Sequence, residues 1–145
     1  MATEKIIIGA DHAGFALKER LKQELQALGY EPLDLGTHSA DSTDYPDYAH
    51  PVAARVERGE VRRGVLLCGT GLGMAYAANR HHGVRAAVAW TPEVARLARA
   101  HNDANILVLP ARFVTEAEGL DILRTWLATP FEGGRHERRV EKIEP

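Results

Sequence analysis

The chain contains a single cysteine, Cys68, which ends a short apolar segment and is followed directly by the glycine-rich loop GTGLG at residues 69–73. Glycines at alternate positions let the backbone approach a ligand closely, and the first amides of a following helix have unpaired N–H donors. Such a loop can bind an anion or stabilise an oxyanion that develops during a reaction. A thiol placed before such a helix can have its pKa lowered from about 8.5 toward neutrality. We therefore interpret Cys68 as a candidate reactive thiol, with an inert core cysteine beside a ligand-free turn as the alternative.

A second group of candidate residues lies nearer the C-terminus. His101 follows Val94 and Leu97 at spacings that place it on the apolar stripe of a predicted helix, close to the C-terminal end. The helix dipole there favours the protonated imidazole, which suits a general acid, and a histidine packed in the core is the alternative. Arg135 and Arg139 are four residues apart, so one helical turn would put both guanidinium groups on one face. That face would meet either a phosphate group or solvent.

The sequence gives no sign of a metal centre. One cysteine excludes an internal disulfide and a multi-thiolate zinc site. The aspartates at 41, 44 and 47 lack the spacing of an EF-hand loop and read as a solvated loop. No spacing of histidines and carboxylates along the chain indicates a metal-binding site.

Short apolar segments alternate with helical segments along the chain. Strands are predicted at 5–8, 31–35, 65–68, 85–90 and 106–109, and helices at about 17–28, 49–58, 72–80, from 92 onward, and at 115–127. Strands without alternating polarity, each separated by a helix, predict a parallel sheet covered on both faces. The predicted fold is thus a single α/β domain over residues 1–145, with a doubly wound, five-stranded parallel sheet in a Rossmann-like three-layer α/β/α arrangement. The charged tail, about 129–145, has too few apolar residues for a core element, so we expect it on a surface, its own or a partner's.

This architecture predicts where a site would lie. In an open parallel sheet, ligands bind beyond the carboxyl ends of the strands, near the switch point in strand order. Polar or reactive residues that follow the strands should therefore share one edge, and these are Asp11, His12, Cys68, Trp90, Thr91 and Arg112.

Length and composition narrow the class of protein. The 145 residues suit one domain, and 45% hydrophobic with 26% charged residues is typical of a globular chain. A net charge of −2 argues against a general nucleic-acid binder. Neither a membrane-length apolar run nor a signal-peptide pattern at the start is present, so we expect a cytoplasmic protein without a membrane partner.

Six sequence blocks together resemble the type B ribose-5-phosphate isomerase family, which also includes galactose-6-phosphate isomerase subunits and allose-6-phosphate isomerases. The blocks are GADHAGF at 9–15, TDYP at 43–46, CGTGLG at 68–73, AAN at 77–79, HNDAN at 101–105 and EGGRH at 132–136. The likeness runs in order from residue 5 to about residue 141. It therefore covers nearly the whole chain.

The resemblance implies interconversion of an aldose and a ketose sugar phosphate through a cis-enediolate, without a metal or an organic cofactor. Cys68 would be the base that moves a proton between C1 and C2 of the sugar. The anion hole for the enediolate would be formed by Thr70 and the backbone amides of Gly71 and Gly73. Gly69, in the same loop, would also contact the substrate. These roles fit the chemistry that the thiol and the loop already indicated.

The resemblance also assigns the remaining candidates. His101, with Asp11 near it, would open the furanose ring, while Asn102 and Tyr45 would contact sugar hydroxyls. The phosphate would be held by four residues, His12, Arg112, Arg135 and Arg139. In this family the site lies between two subunits and the tail arginines come from the partner, which implies a homodimer or a dimer of dimers.

One branch of the family uses a glutamate in the helix after the glycine loop in place of the cysteine. Met74 stands at the corresponding position here and cannot accept a proton, so Cys68 has no competitor. The chain holds the full set of site residues, which favours a self-sufficient homodimer. Two alternatives remain open at this stage: an isomerase of a six-carbon sugar phosphate, such as allose 6-phosphate or galactose 6-phosphate, and a non-catalytic module that binds a phosphate or a nucleotide.

Overall fold

A computed structural model describes residues 3–145 of the chain. The strands are β1 (Lys5–Ala10), β2 (Glu31–Asp34), β3 (Arg63–Cys68), β4 (Ala86–Val88) and β5 (Ile106–Pro110). The α-helices are α1 (Phe15–Ala27), α2 (Pro46–Glu57), α3 (Leu72–Ala78), α4 (Pro92–Ala100), α5 (Glu116–Ala128) and α6 (Arg135–Glu141), with a short 3₁₀ helix at His12–Gly14. No helix within this range is long and apolar enough to cross a bilayer.

The strands form one sheet in the order β2-β1-β3-β5-β4, and every pair is parallel. Strand β2 lies beside β1 in one direction and β3 lies beside β1 in the other, so the strand order reverses, at the switch point, between β1 and β3. In register, Ala10 pairs with Leu67 and Cys68 pairs with Pro110. The three central strands therefore end at one edge, which we call the carboxyl edge, and begin at the opposite amino edge.

Two apolar clusters cover the two faces of the sheet, as the continuous apolar strands predict. One cluster joins the strands to α1, α4 and α5 and contains the fully buried Trp126. The other joins them to α2 and α3 and contains Val52 and Met74. Along β1, Ile6 and Ile8 enter the first cluster and Ile7 the second. The predicted doubly wound, five-stranded parallel sheet in a three-layer α/β/α arrangement is confirmed.

The boundaries of several elements differ from the sequence-based expectations. Helix α2 begins at Pro46 and not at residue 49, because proline is well suited to the first helical position. Strand β4 covers only Ala86–Val88 at the outer edge of the sheet, where it has a single neighbour. The tail lies on the surface as expected, but it also forms the helix α6 and buries the side chain of His136.

Candidate active site

Hydrogen bonds beyond the strand ends organise the carboxyl edge. The amide of Ala111 donates to the carbonyl oxygen of Cys68 at 2.9 Å, and the amide of Arg112 donates to that of Gly69 at 3.0 Å. The amide of Asp11 donates to Leu67 at 3.2 Å. The residues that follow β1, β3 and β5 are thus fixed side by side, as the sequence predicts for this edge.

Cys68 lies at the end of β3 and is buried, with only 4% of its surface exposed. It packs in the same cluster as Met74 and Val108. This burial excludes most water from the thiol, so a ligand would reach the sulfur with a few atoms only. Met74 is fully buried as well, and its thioether offers no proton acceptor in place of a base.

The glycine loop turns sharply between β3 and α3. Gly71 has φ = 79°, in the left-handed region that favours glycine, and α3 begins at the next residue. The amide of Leu72 donates to the Thr70 hydroxyl oxygen at 3.2 Å, which orients that exposed side chain. A β-carbon on Gly73 would lie 2.6 Å from Cε1 of Tyr45, so a glycine is required where the tyrosine ring meets the loop. The loop therefore gathers Thr70, two glycine amides and Tyr45.

Asp11 and His12 are both held by the backbone after β1. Asp11 is 6% exposed, and its Oδ1 accepts from the amides of Ala13 at 3.0 Å and Gly14 at 3.3 Å, as an N-cap does. His12 exchanges two hydrogen bonds of 3.2 Å with Thr43: its amide donates to the hydroxyl, and its Nδ1 accepts from the Thr43 amide. A neutral His12 with Nδ1 as acceptor carries its proton on Nε2, which is then free to donate to an anion.

His101 lies at the opposite edge of the same sheet. Helix α4 starts after β4 at the carboxyl edge, His101 is the residue that caps its C-terminal end, and β5 begins a few residues later. The five residues of β5 span about 16 Å, so His101 and Asn102 are separated from Cys68 by about the length of a strand. The proximity of Asp11 and His101 that the resemblance implies is not met within one chain.

The surroundings of His101 show that it is not a core histidine. Its side chain is 37% exposed, and its Nε2 lies 3.7 Å from Oε1 of Glu132. Its ring stacks on that of His136, with centroids 4.2 Å apart and an angle of 11° between the planes. Burial and the nearby positive charges of His101, Arg135 and Arg139 lower the pKa of His136 below its ordinary value, against the opposing effect of Glu132. The expectation that His101 ends its helix is confirmed.

The tail arginines share this amino edge with His101. Arg135 begins α6 and Arg139 follows one turn later, and both side chains are exposed, as is Asn102. Sequence reasoning assigned no role to Glu132 and His136, which the fold brings to His101. Their spacing of four residues was the signal that could have paired them, but nothing in the sequence placed either beside His101.

Comparison with known proteins agrees with this architecture. A sequence model of the family described as Ribose/Galactose Isomerase matches residues 6–143. The chain belongs to this family. A relative in the family, ribose-5-phosphate isomerase B of Escherichia coli (strain K12), is 46% identical over 140 residues, which cover 97% of this chain and 94% of the relative.

Solved structures of the family superpose on nearly the whole chain. The ribose 5-phosphate isomerase of Thermotoga maritima matches with a TM-score of 0.95 and 53% identity, covering 99% of each chain. Ribose-5-phosphate isomerase B of Mycoplasma genitalium, solved with bound ribulose-5-phosphate, matches with a TM-score of 0.94 and 41% identity, covering 99% of this chain and 95% of that one. The family expected from the six sequence blocks and the fold expected from the alternation of strands and helices are both confirmed.

Proposed function

We propose that this chain is an isomerase that interconverts D-ribose 5-phosphate and D-ribulose 5-phosphate. The observation that carries the proposal is the position of the Cys68 thiol at the carboxyl edge, directly before the glycine loop. The fold around it matches a ribose 5-phosphate isomerase over 99% of the chain. The Mycoplasma genitalium relative with bound ribulose-5-phosphate supports the same substrate class.

Proton transfer is the step assigned to the carboxyl edge. The Cys68 thiolate takes the proton from C2 of the open-chain aldose, and the electron pair moves to O1, which gives the cis-enediolate. The Thr70 hydroxyl and the amides of Gly71 and Gly73 donate hydrogen bonds to its oxygens. The thiol then returns the proton to C1, while the O2 proton passes to O1, and the product is the ketose. No group outside the chain and the sugar is needed to balance the step.

The rate enhancement expected of an enzyme requires the base and the anion hole to act together. General base catalysis contributes about 10²–10⁴-fold, and one well-placed donor contributes about 10²–10³-fold. Neither alone reaches the enhancement of about 10⁶-fold that is the lower end for enzymes. The burial of Cys68 assists the anion hole, because interactions with the developing charge of the enediolate strengthen where water is excluded.

Ring opening and phosphate binding involve the amino edge. His101 donates a proton to the ring oxygen of the furanose, and the carboxylate of Asp11 beside it accepts the proton that the C1 hydroxyl loses as the C1–O bond to the ring oxygen breaks. Asn102 and Tyr45 contact the sugar hydroxyls. The phosphate meets the Nε2 donor of His12 together with the guanidinium groups of Arg112, Arg135 and Arg139, which suit phosphate oxygens by charge and geometry.

A complete site therefore needs two subunits, one giving its carboxyl edge and the other its amino edge. The separation of Cys68 from His101 by the length of β5 supports this arrangement. Large apolar side chains also stand exposed on or beside elements that start at the carboxyl edge, and they are Leu72, Tyr76, Trp90 and Phe113. A second copy of the chain that covers this edge would bury them and would bring His101 and the tail arginines to Cys68.

The experiment that tests the proposed function measures kcat/KM of the purified enzyme for ribose 5-phosphate, allose 6-phosphate and galactose 6-phosphate. We expect the highest value for ribose 5-phosphate, with ribulose 5-phosphate as the product. A higher kcat/KM for either six-carbon sugar phosphate would show that this sugar, and not ribose 5-phosphate, is the preferred substrate. No isomerisation of any of the three, with tight binding of a mononucleotide, would select the non-catalytic module.

A further inference from the structure

Three potential metal ligands converge at the amino edge. The Nε2 atoms of His101 and His136 each lie 3.7 Å from Oε1 of Glu132, and one ligand atom from each residue fits within 4.8 Å of the others. We propose that these three residues bind a divalent transition-metal ion, with Zn²⁺ as the best fit, and that the bound ion inhibits the enzyme. This inhibition rests on the proposed function, because it requires His101 to open the sugar ring.

The spacing between Glu132 and each of the two histidines is close to what zinc requires, whereas the orientation of the two rings is not. Ligand atoms bound at about 2.0–2.1 Å in a tetrahedral site lie about 3.4 Å from one another. The two 3.7 Å separations need to contract by only a few tenths of an ångström, but the two imidazole rings stack nearly parallel, so their in-plane lone pairs do not meet at one point. The partly exposed ring of His101 must therefore turn out of this stack to share an ion with the more deeply buried His136. Two imidazole nitrogens and one carboxylate leave the fourth position for water, a ligand set that zinc uses in open sites.

The backbone brings the ligands together before any ion arrives. The amide of Glu132 donates to the carbonyl oxygen of Ala100 at 3.0 Å, which fixes the tail against the end of α4. Gly133 and Gly134, with φ of 68° and 57°, turn the chain into α6. His136 then falls in the first turn of that helix and lies against His101. The backbone is thus already in place, and the main ordering left for an ion to impose is the rotation of the His101 ring out of its stack on His136.

The polar atoms of the cluster do not satisfy one another. A separation of 3.7 Å exceeds the length of a hydrogen bond, so neither Nε2 is paired with Glu132. The side chain of His136 is 91% buried, since only 9% is exposed, and its Nε2 lies 3.7 Å from the carboxylate oxygen of Glu132. A cation between the three groups would give each of them a partner.

A second group of two histidines and a glutamate provides a contrast on the same molecule. His50 Nδ1 lies 2.8 Å from His81 Nε2, and His81 Nδ1 lies 3.0 Å from Glu57 Oε1. These groups form a chain of hydrogen bonds and do not converge on one point. The difference makes His81→Asn a matched control, because it removes a histidine next to a glutamate without touching the proposed site.

The bound ion would act on one step of the reaction. A metal on Nε2 of His101 occupies the lone pair that must carry the proton to the ring oxygen. Ribulose 5-phosphate cannot close a furanose ring through its phosphorylated C5 oxygen, so the reaction that starts from the ketose needs no ring opening. Zn²⁺ should therefore slow the enzyme more with ribose 5-phosphate than with ribulose 5-phosphate as the starting sugar.

The binding test uses metal-free enzyme titrated with Zn²⁺ by calorimetry, and with Co²⁺ by its visible absorption. We expect one ion per subunit with the absorption of a tetrahedral site. Glu132→Gln and His136→Asn should each weaken binding by about tenfold or more, while His81→Asn leaves it unchanged. Absence of binding, or equal binding by the Glu132→Gln and wild-type enzymes, would overturn the metal site.

The inhibition test compares initial rates in both directions with and without Zn²⁺. We expect stronger inhibition from the aldose side in wild-type enzyme, and relief of that inhibition in Glu132→Gln. Equal inhibition from both sides would overturn the assignment to ring opening. An enzyme that binds Zn²⁺ but isomerises no sugar would contradict the proposed function and leave the metal site standing, whereas an active isomerase that binds no Zn²⁺ would contradict the metal site alone.

Discussion

The two edges of the sheet differ in how firmly they hold the groups proposed for catalysis. At the carboxyl edge, Cys68 and Asp11 are buried to more than nine-tenths, and backbone amides fix the residues around them. At the amino edge, His101 is partly exposed, and Arg135 and Arg139 project from a seven-residue helix in the tail. Proton transfer at carbon tolerates little error in position, so the rigid edge suits that step. In the proposed two-subunit site, the exposed edge supplies the groups that complete the site of the partner subunit.

Replacement of Cys68 by alanine removes the base from the rigid edge. We expect kcat to fall by about 10³-fold with KM for ribose 5-phosphate nearly unchanged, because the thiol contributes to the transition state and little to binding. Steady-state kinetics and direct substrate binding measure this. Met74→Leu, a buried apolar exchange in the same cluster, is the control and should retain activity. Near-normal turnover of Cys68→Ala would remove the base from the mechanism.

His101→Asn tests the exposed edge. We expect a loss of about 10²-fold in kcat/KM when the reaction starts from the ring-closed aldose, the lower end of the contribution of a general acid. The loss from the open-chain ketose should be much smaller. Initial rates in both directions separate the two cases, and equal losses would show that His101 does not open the ring.

Arg139→Ala removes one of the two tail arginines that are proposed to bind the phosphate group of the substrate. We expect KM for ribose 5-phosphate to rise about tenfold, since a charge-assisted hydrogen bond contributes about 1.5–3 kcal/mol, while kcat changes less. Arg138→Ala, one position earlier on α6, is the matched control. Unchanged kinetics in Arg139→Ala would exclude this residue from phosphate binding.

The rigidity of the carboxyl edge also depends on a buried ion pair. The fully buried Lys18 donates a hydrogen bond to Asp34 Oδ2 at 2.6 Å, and Asp34 Oδ1 accepts one from the amide of Gly36. The carbonyl oxygen of Gly36 in turn accepts a hydrogen bond from the amide of Ala10, at the end of β1. Asp34→Asn should lower the free energy of unfolding by about 1.5–3 kcal/mol near neutral pH, because charge-assisted hydrogen bonds from Lys18 and Lys22 are lost while both lysines keep Glu19 as a partner. Denaturant unfolding measures this effect.

The stability difference between wild type and Asp34→Asn should also depend on pH. Burial alone would raise the pKa of Asp34, but hydrogen bonds from Lys18 and Lys22 outweigh it and hold the pKa below its ordinary value. The stability from this carboxylate is then present above the pKa of an unfolded aspartate and is lost as the pH falls through the lowered folded pKa. The difference between wild type and Asp34→Asn should therefore shrink in acid. A difference independent of pH would show that the charge of Asp34 does not cause the effect.

The sequence predicts the carboxyl edge better than the amino edge. Cys68, its loop, Asp11 and Arg112 all follow strands directly, and the ends of parallel strands meet by the geometry of the sheet. The contacts of His101 with Glu132 and His136 depend on how the tail packs against the end of α4, which no local pattern specifies. Burial of Lys18 likewise depends on a carboxylate from β2. Tertiary packing decides these features, and the sequence alone predicts only the tail's surface position.

Activity of mixed dimers tests most directly whether each site joins two edges from different subunits. A heterodimer of one Cys68→Ala subunit and one His101→Asn subunit, purified through two different tags, keeps one intact site if the edges come from separate chains. We expect about half of the wild-type turnover of ribose 5-phosphate from it, because a two-fold symmetric dimer has two equivalent sites. A wild-type subunit paired with one that carries both substitutions should have almost no activity. The reverse result, an inactive first dimer and a half-active second one, would contradict the shared site.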